Sequence, residues 1–107
     1  MKALHVQTFC SGGLMDLIHG GGEYADGIFV PEKNLLIRCE GEMAYVAEGP
    51  LEQFTTSLEG GEERAPKISK EIEIPEAVVD CAQTLIDARN AFSKMVQELW
   101  REKGLPQ

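Results

Sequence analysis

PEAVVDCAQTLIDARNAFSKMVQELWREKG, Pro75 to Gly104, is the stretch that decides the fold. Val78, Leu85, Phe92 and Leu99 recur every seven residues, and Cys81, Ala88 and Met95 follow the first three of them by three, so an a/d seam runs unbroken along one helix. The helix is expected over Pro75 to Lys103, which at about 1.5 Å per residue spans on the order of 40 Å. That exceeds the width of the small sheet the remaining residues can build, so the seam calls for a cover of its own. The stripe is also wider than a strict seam, because Val79, Ile86 and Trp100 share one flank. A helix of this kind packs on its own sheet with one side and on a partner with the other.

Both ends carry chemical signals. Pro75 suits the first helical position, and Glu76 with Asp80 places negative charge near the positive end of the helix dipole. At the other end Arg101 and Lys103 complement the negative end. Gly104 can take the left-handed conformation that stops the helix, Leu105 can fold back on Trp100, and Pro106 prevents continuation.

Working outward, the N-terminal region is β-rich. Ala3 to Phe9 alternates, with Leu4, Val6 and Thr8 opposing His5, Gln7 and Phe9, and stops at Cys10-Ser11-Gly12-Gly13. Leu14 to His19 is an apolar segment too short to assign by periodicity, broken by Gly20-Gly21-Gly22. Gly27 to Val30 and Asn34 to Cys39 form two strands around the turn Pro31-Glu32-Lys33-Asn34, and Glu42 to Glu48 completes an antiparallel meander. Leu51 to Leu58 is a further strand or a short helix, and Glu59 to Pro66 a polar, glycine-containing loop. Ile68 to Ile74 alternates Ile68, Lys70, Ile72 and Ile74 with Ser69, Glu71 and Glu73, a half-buried strand leading into the helix. The expected architecture is α+β: a mostly antiparallel sheet of four to five strands with one long C-terminal amphipathic helix packed across it. We expect a single domain over residues 1–107, in which a β-rich region, residues 1–74, is followed by the helix, residues 75–103, with no internal repeat.

Composition narrows the classes of function. The net charge is −8, dispersed mostly over glutamates, so the basic footprint of a direct nucleic-acid binder is missing. No apolar stretch approaches a membrane span, and the residues after Met1-Lys2 turn polar at His5 and Gln7, so neither anchor nor leader is expected. The three cysteines, Cys10, Cys39 and Cys81, are odd in number and widely spaced, which speaks for reduced thiols and a cytoplasmic protein.

Candidate chemistry is sparse. Cys10 before Ser11-Gly12-Gly13 stands where backbone N–H groups can stabilise a thiolate, but the arginine of a cysteine phosphatase and the lysine of a phosphate loop are both missing from Leu14 to Ile18. His5 and His19 lack metal-ligand spacing with each other or with Cys10 and Asp16. We therefore expect no catalytic residues, no metal and no cofactor. The stretch His19 to Gly27 is the better candidate for recognition: on a glycine-rich loop, Tyr24 offers contact area while Glu23 and Asp26 meet basic groups, and Glu62 and Glu63 do the same on the later loop. Trp100 is either a packed cap residue or an interface anchor.

The reading that follows is a non-enzymatic protein–protein interaction or regulatory module. It pairs with itself through Val78, Cys81, Leu85, Ala88, Phe92, Met95, Leu99 and Trp100, and possesses a surface for a basic protein, with no direct nucleic acid and no membrane among its partners. Its alternatives are a small acidic inhibitor of phage type that blocks a basic nucleic-acid-binding surface of a host protein, a small-ligand binding or sequestering protein, and a small hydrolase dependent on Cys10 or His19.

Overall fold

The computed structural model describes residues 1–10 and 22–106, apart from the side chain of Glu59. The turn expected at Ser11-Gly12-Gly13, the apolar segment Leu14 to His19 and the glycines at 20 and 21 lie outside the described residues. So do Asp16 and His19 as candidate ligands.

Apolar strands and one long amphipathic helix assemble as an α+β fold. Strands β1 (Lys2–Cys10), β2 (Glu23–Val30), β3 (Leu35–Glu40), β4 (Met43–Glu48) and β7 (Lys67–Glu73) form an antiparallel sheet in the order β4-β3-β2-β1-β7. The meander expected from the sequence is β2-β3-β4, and β1 extends it by pairing with β2. The β2–β3 turn is the expected Pro31–Asn34, closed by the Lys33 N–H donating to the Val30 carbonyl at 3.2 Å. Asn34 takes φ 51, a conformation that asparagine tolerates better than most residues. Between β3 and β4, Gly41 at φ 60 occupies the first central position of a two-residue turn, where a primed hairpin turn demands positive φ.

The sheet is covered on both faces, which explains why Ile28-Phe29-Val30 and Leu35-Leu36-Ile37 are continuous apolar runs and not alternating ones. On one face Ala3, Val30, Leu35 and Val46 bury against Val79, Ala82 and Ile86 of the helix, with Ile72 and Ile74 half-buried at the border. On the other, Val6, Phe29 and Leu36 receive Leu51 and Phe54. Those two come from a 3-10 turn, Leu51–Phe54, which precedes the two-residue strand β5 (Thr56–Ser57). The segment expected to be either strand or helix is thus both in succession.

Three local expectations are corrected. Glu59 to Pro66 is not a plain loop: a 3-10 turn, Glu59–Gly61, and β6 (Glu63–Arg64) fold it back on β5, with the Leu58 N–H donating to the Glu62 carbonyl at 2.7 Å. The alternation of β7 is broken, because its pairing with β1 matches His5 with Lys70 and Val6 with Ile68 and leaves Ser69 as an extra residue. A bulge moves every side chain beyond it to the other face, so Ile68 does not share a face with Ile72, and it is exposed. Finally, the helix spans Glu76–Glu102, with Pro75 as the N-cap in extended conformation and not the first helical residue. Ile74 is tied by its N–H to the Met1 carbonyl, and a residue before proline is held extended, so the turn begins one position later.

The C-terminal stop is as the sequence implies. Gly104 adopts φ 65, its N–H donates to the Arg101 carbonyl, and the Leu105 N–H donates to the Trp100 carbonyl at 3.0 Å, which together form a complete Schellman motif.

Candidate interaction surface

Helical periodicity divides the long helix between two environments. Val79, Ala82 and Ile86 face the sheet and are buried, and the Arg89 guanidinium reaches the Val46 carbonyl at 3.1 Å. The seam lies on the adjoining face. Val78, Cys81, Leu85, Ala88, Phe92, Met95 and Leu99 are all exposed, Phe92 by 64% and Met95 by 61%. From Asn90 to Glu102 only Val96 is half-buried and the other residues are exposed, so among the described residues the second half of the helix takes no part in the packing that Val79, Ala82 and Ile86 make with the sheet.

No charged residue interrupts the stripe between Ala77 and Met95: positions 77, 78, 81, 84, 85, 88, 91, 92 and 95 are Ala, Val, Cys, Thr, Leu, Ala, Ala, Phe and Met. Several of these are small, which lets another helix approach closely. At its N-terminal half the stripe opens into an apolar groove of about 400 Å³ between the helix and β4, lined among others by Ile37, Tyr45, Val78, Cys81 and Leu85. Its sheet wall escaped the sequence reading. The available signal was β4 itself, an edge strand with apolar residues on both faces, of which Met43 and Tyr45 remain exposed. Trp100 is placed differently from the seam: its indole N–H donates to the Pro106 carbonyl at 2.8 Å, folding the tail over the helix end.

Three of the residues expected to serve recognition on a loop lie in a strand instead. Glu23, Tyr24 and Asp26 belong to β2 and pair with Cys10, Phe9 and Gln7 of β1. The backbone partners offered by β1 override the weak strand preference of a glycine- and acid-rich stretch. Tyr24 packs edge-to-face on Phe9 at 5.4 Å between centroids, with the Lys67 ammonium 4.2 Å from the Tyr24 ring centre and the Arg64 guanidinium 5.9 Å from that of Phe9. Arg64 in turn pairs with Glu62 at 3.0 Å, which joins the two sequence candidates Tyr24 and Glu62 through Phe9. Glu23 and Glu63, next to Tyr24 and Arg64 in their strands, are exposed.

Asp26 forms a second group. Its carboxylate accepts from His5 Nε2 at 2.8 Å and Gln7 Nε2 at 3.3 Å, and the His5 hydrogen bond first, then that of Gln7, holds the Asp26 carboxyl below its ordinary range. Cys10 receives a hydrogen bond from Arg38 Nη2 at 3.2 Å, an arginine delivered by β3 that local sequence inspection does not find. Arg38 also faces Glu40 at 3.5 Å. Beside it the buried Thr8 hydroxyl has no partner among the described residues. Among those residues no group of three or more His, Cys, Asp or Glu side chains converges for a metal ion.

Carboxylates occur on β2, β3, β4, β7 and the helix and are not gathered on one element. Among the described residues no helix is long and apolar enough to cross a membrane. The chain matches no protein-family model, and neither curated proteins nor solved structures show a significant similarity to it.

Proposed function

We propose that the protein is a non-enzymatic interaction module that pairs with a second copy of itself through its C-terminal helix and acts in the cytoplasm. One observation carries the reading: every a and d side chain from Val78 to Leu99 is exposed in the single chain, on a helix whose other flank already holds the sheet. At about 25 cal/mol per Å² of apolar surface removed from water, covering such a stripe is strongly favourable. An uncharged ridge with coiled-coil spacing is the chemistry of a protein partner, not of a soluble ligand. The polar group of Tyr24, Lys67, Arg64 and Glu62 lies on separate elements and is left for a further macromolecule.

Light scattering on the eluting peak, with native mass spectrometry, tests it. A mass of twice the 11.8 kDa chain is expected. A bare monomer at micromolar concentration overturns the reading.

A further inference from the structure

We propose that the two helices of the dimer run antiparallel about a twofold axis at Asn90, so that the free C-terminal half of each helix fills the groove of the other copy. The inference rests on the dimeric reading above and adds its orientation.

Side-chain size favours the antiparallel arrangement. An antiparallel seam centred on Asn90 sets Phe92 against the partner's Ala88, Leu99 against the partner's Cys81 and Leu85 against the partner's Met95, because each pair is equally spaced about that residue. Two of these pairings put a large side chain on a small one, the alternation that fills a helix interface without voids. A parallel seam stacks each residue on its own copy, so Ala88 meets Ala88 and Cys81 meets Cys81 beside a crowded layer of two Phe92 rings.

Charge supplies an independent argument. Asp80, Asp87, Lys94 and Arg101 recur every seven residues along the edge of the stripe away from the sheet, acidic in its first half and basic in its second. An antiparallel pair brings like edge to like edge, with Asp80 level with the partner's Arg101 and Asp87 level with the partner's Lys94. The small residues Ala77, Thr84 and Ala91 next to that edge let the long basic side chains reach across. In a parallel pair this edge would meet the partner's opposite edge, where Val79, Ala82 and Ile86 are occupied by the sheet.

The groove completes the case. It lies beside Val78, Cys81 and Leu85, the positions level with the partner's free second half, so the partner's Leu99 and Met95 enter between the helix and Tyr45. The overhang of the helix beyond its own sheet then has a use: it covers the neighbour's groove, and the exchange is reciprocal.

The test is a distance. A spin label on Lys103→Cys in a Cys10→Ala, Cys39→Ala, Cys81→Ala background is measured by pulsed electron paramagnetic resonance, with the mass of the same sample recorded. An antiparallel pair places the two labels about 40 Å apart along the axis. A parallel pair places them across a helix spacing of about 10 Å plus the label arms, and that result overturns the orientation while leaving the dimer. A monomeric mass for the unsubstituted chain overturns both. In a variant that keeps Cys81 and carries Leu99→Cys with Cys10→Ala and Cys39→Ala, mild oxidation followed by peptide mapping is expected to give an intermolecular 81–99 disulfide. Bonds joining 81 to 81 and 99 to 99 overturn the proposal.

Discussion

Ile86 is sealed between the helix and the sheet while Leu85, the residue before it, is 53% exposed. Two adjacent aliphatic side chains thus face different surroundings, Ile86 the sheet and Leu85 solvent, and in the proposed pair the partner covers the second. Leu85→Glu and Phe92→Glu are therefore expected to give a folded monomer: the charge meets water once the partner is gone, whereas in the pair it would be buried without a counter-charge at a cost of several kcal/mol. Circular dichroism should keep the native spectrum as light scattering reports half the mass. A variant that stays dimeric would place the interface elsewhere.

Ile86→Ala acts on the other interface. Ile86 is fully buried with Val79, Leu35 and Val30, and truncating a buried isoleucine leaves a cavity worth roughly 2–5 kcal/mol. The expected result is a large loss in denaturant midpoint with dimer formation lost only through unfolding. A change within ~0.5 kcal/mol would mean that the helix does not dock through this flank.

These paired variants also separate what was legible in the sequence from what was not. The helix, its stop and its two-sided stripe are written in local spacing, so Val79 and Ile86 on one flank and the Val78 to Leu99 seam on the other follow from periodicity alone. Tyr24 and Asp26 do not, because Gly22, Glu23 and Gly27 around them depress strand preference and only the hydrogen bonds of β1 make β2 extend that far. Ile68 fails for a different reason. Its alternation with Ile72 is intact in the sequence, and the extra residue at Ser69 is defined solely by the register against His5 and Val6. The polar clusters share this property: Arg38 reaches Cys10, and Lys67 reaches Tyr24, across strands distant in the chain.

Asp26 gives the fold a local dependence on pH. Hydrogen bonds from His5 and then Gln7 lower the folded-state pKa of its carboxyl, so the contribution is present above the unfolded value of about 3.9 and is lost as pH falls through the lowered folded value. Carbon-detected NMR titration should place the Asp26 midpoint below ~3.9. The stability difference between the unsubstituted chain and Asp26→Asn should be greatest near neutrality and shrink toward strong acid. A midpoint at or above the ordinary value would show that the His5–Asp26 contact does not persist in solution.

Gly104 sets the end of the free half of the helix. At φ 65 it allows the Leu105 N–H to satisfy the Trp100 carbonyl, and the returning chain brings the Pro106 carbonyl to the Trp100 indole. A β-branched residue at that φ is strained, so Gly104→Val is expected to cost about 1 kcal/mol, whereas Gly104→Asn, which tolerates the left-handed region, costs less. A loss of that size corresponds to roughly 4–8 °C in the melting temperature of a domain this small. Because Trp100 is the chain's single tryptophan, its fluorescence reports the same event directly: release of the tail exposes the indole, and the emission should shift to longer wavelength in the valine variant only. Equal spectra and equal melting temperatures for valine and asparagine would mean that the cap does not hold the tail.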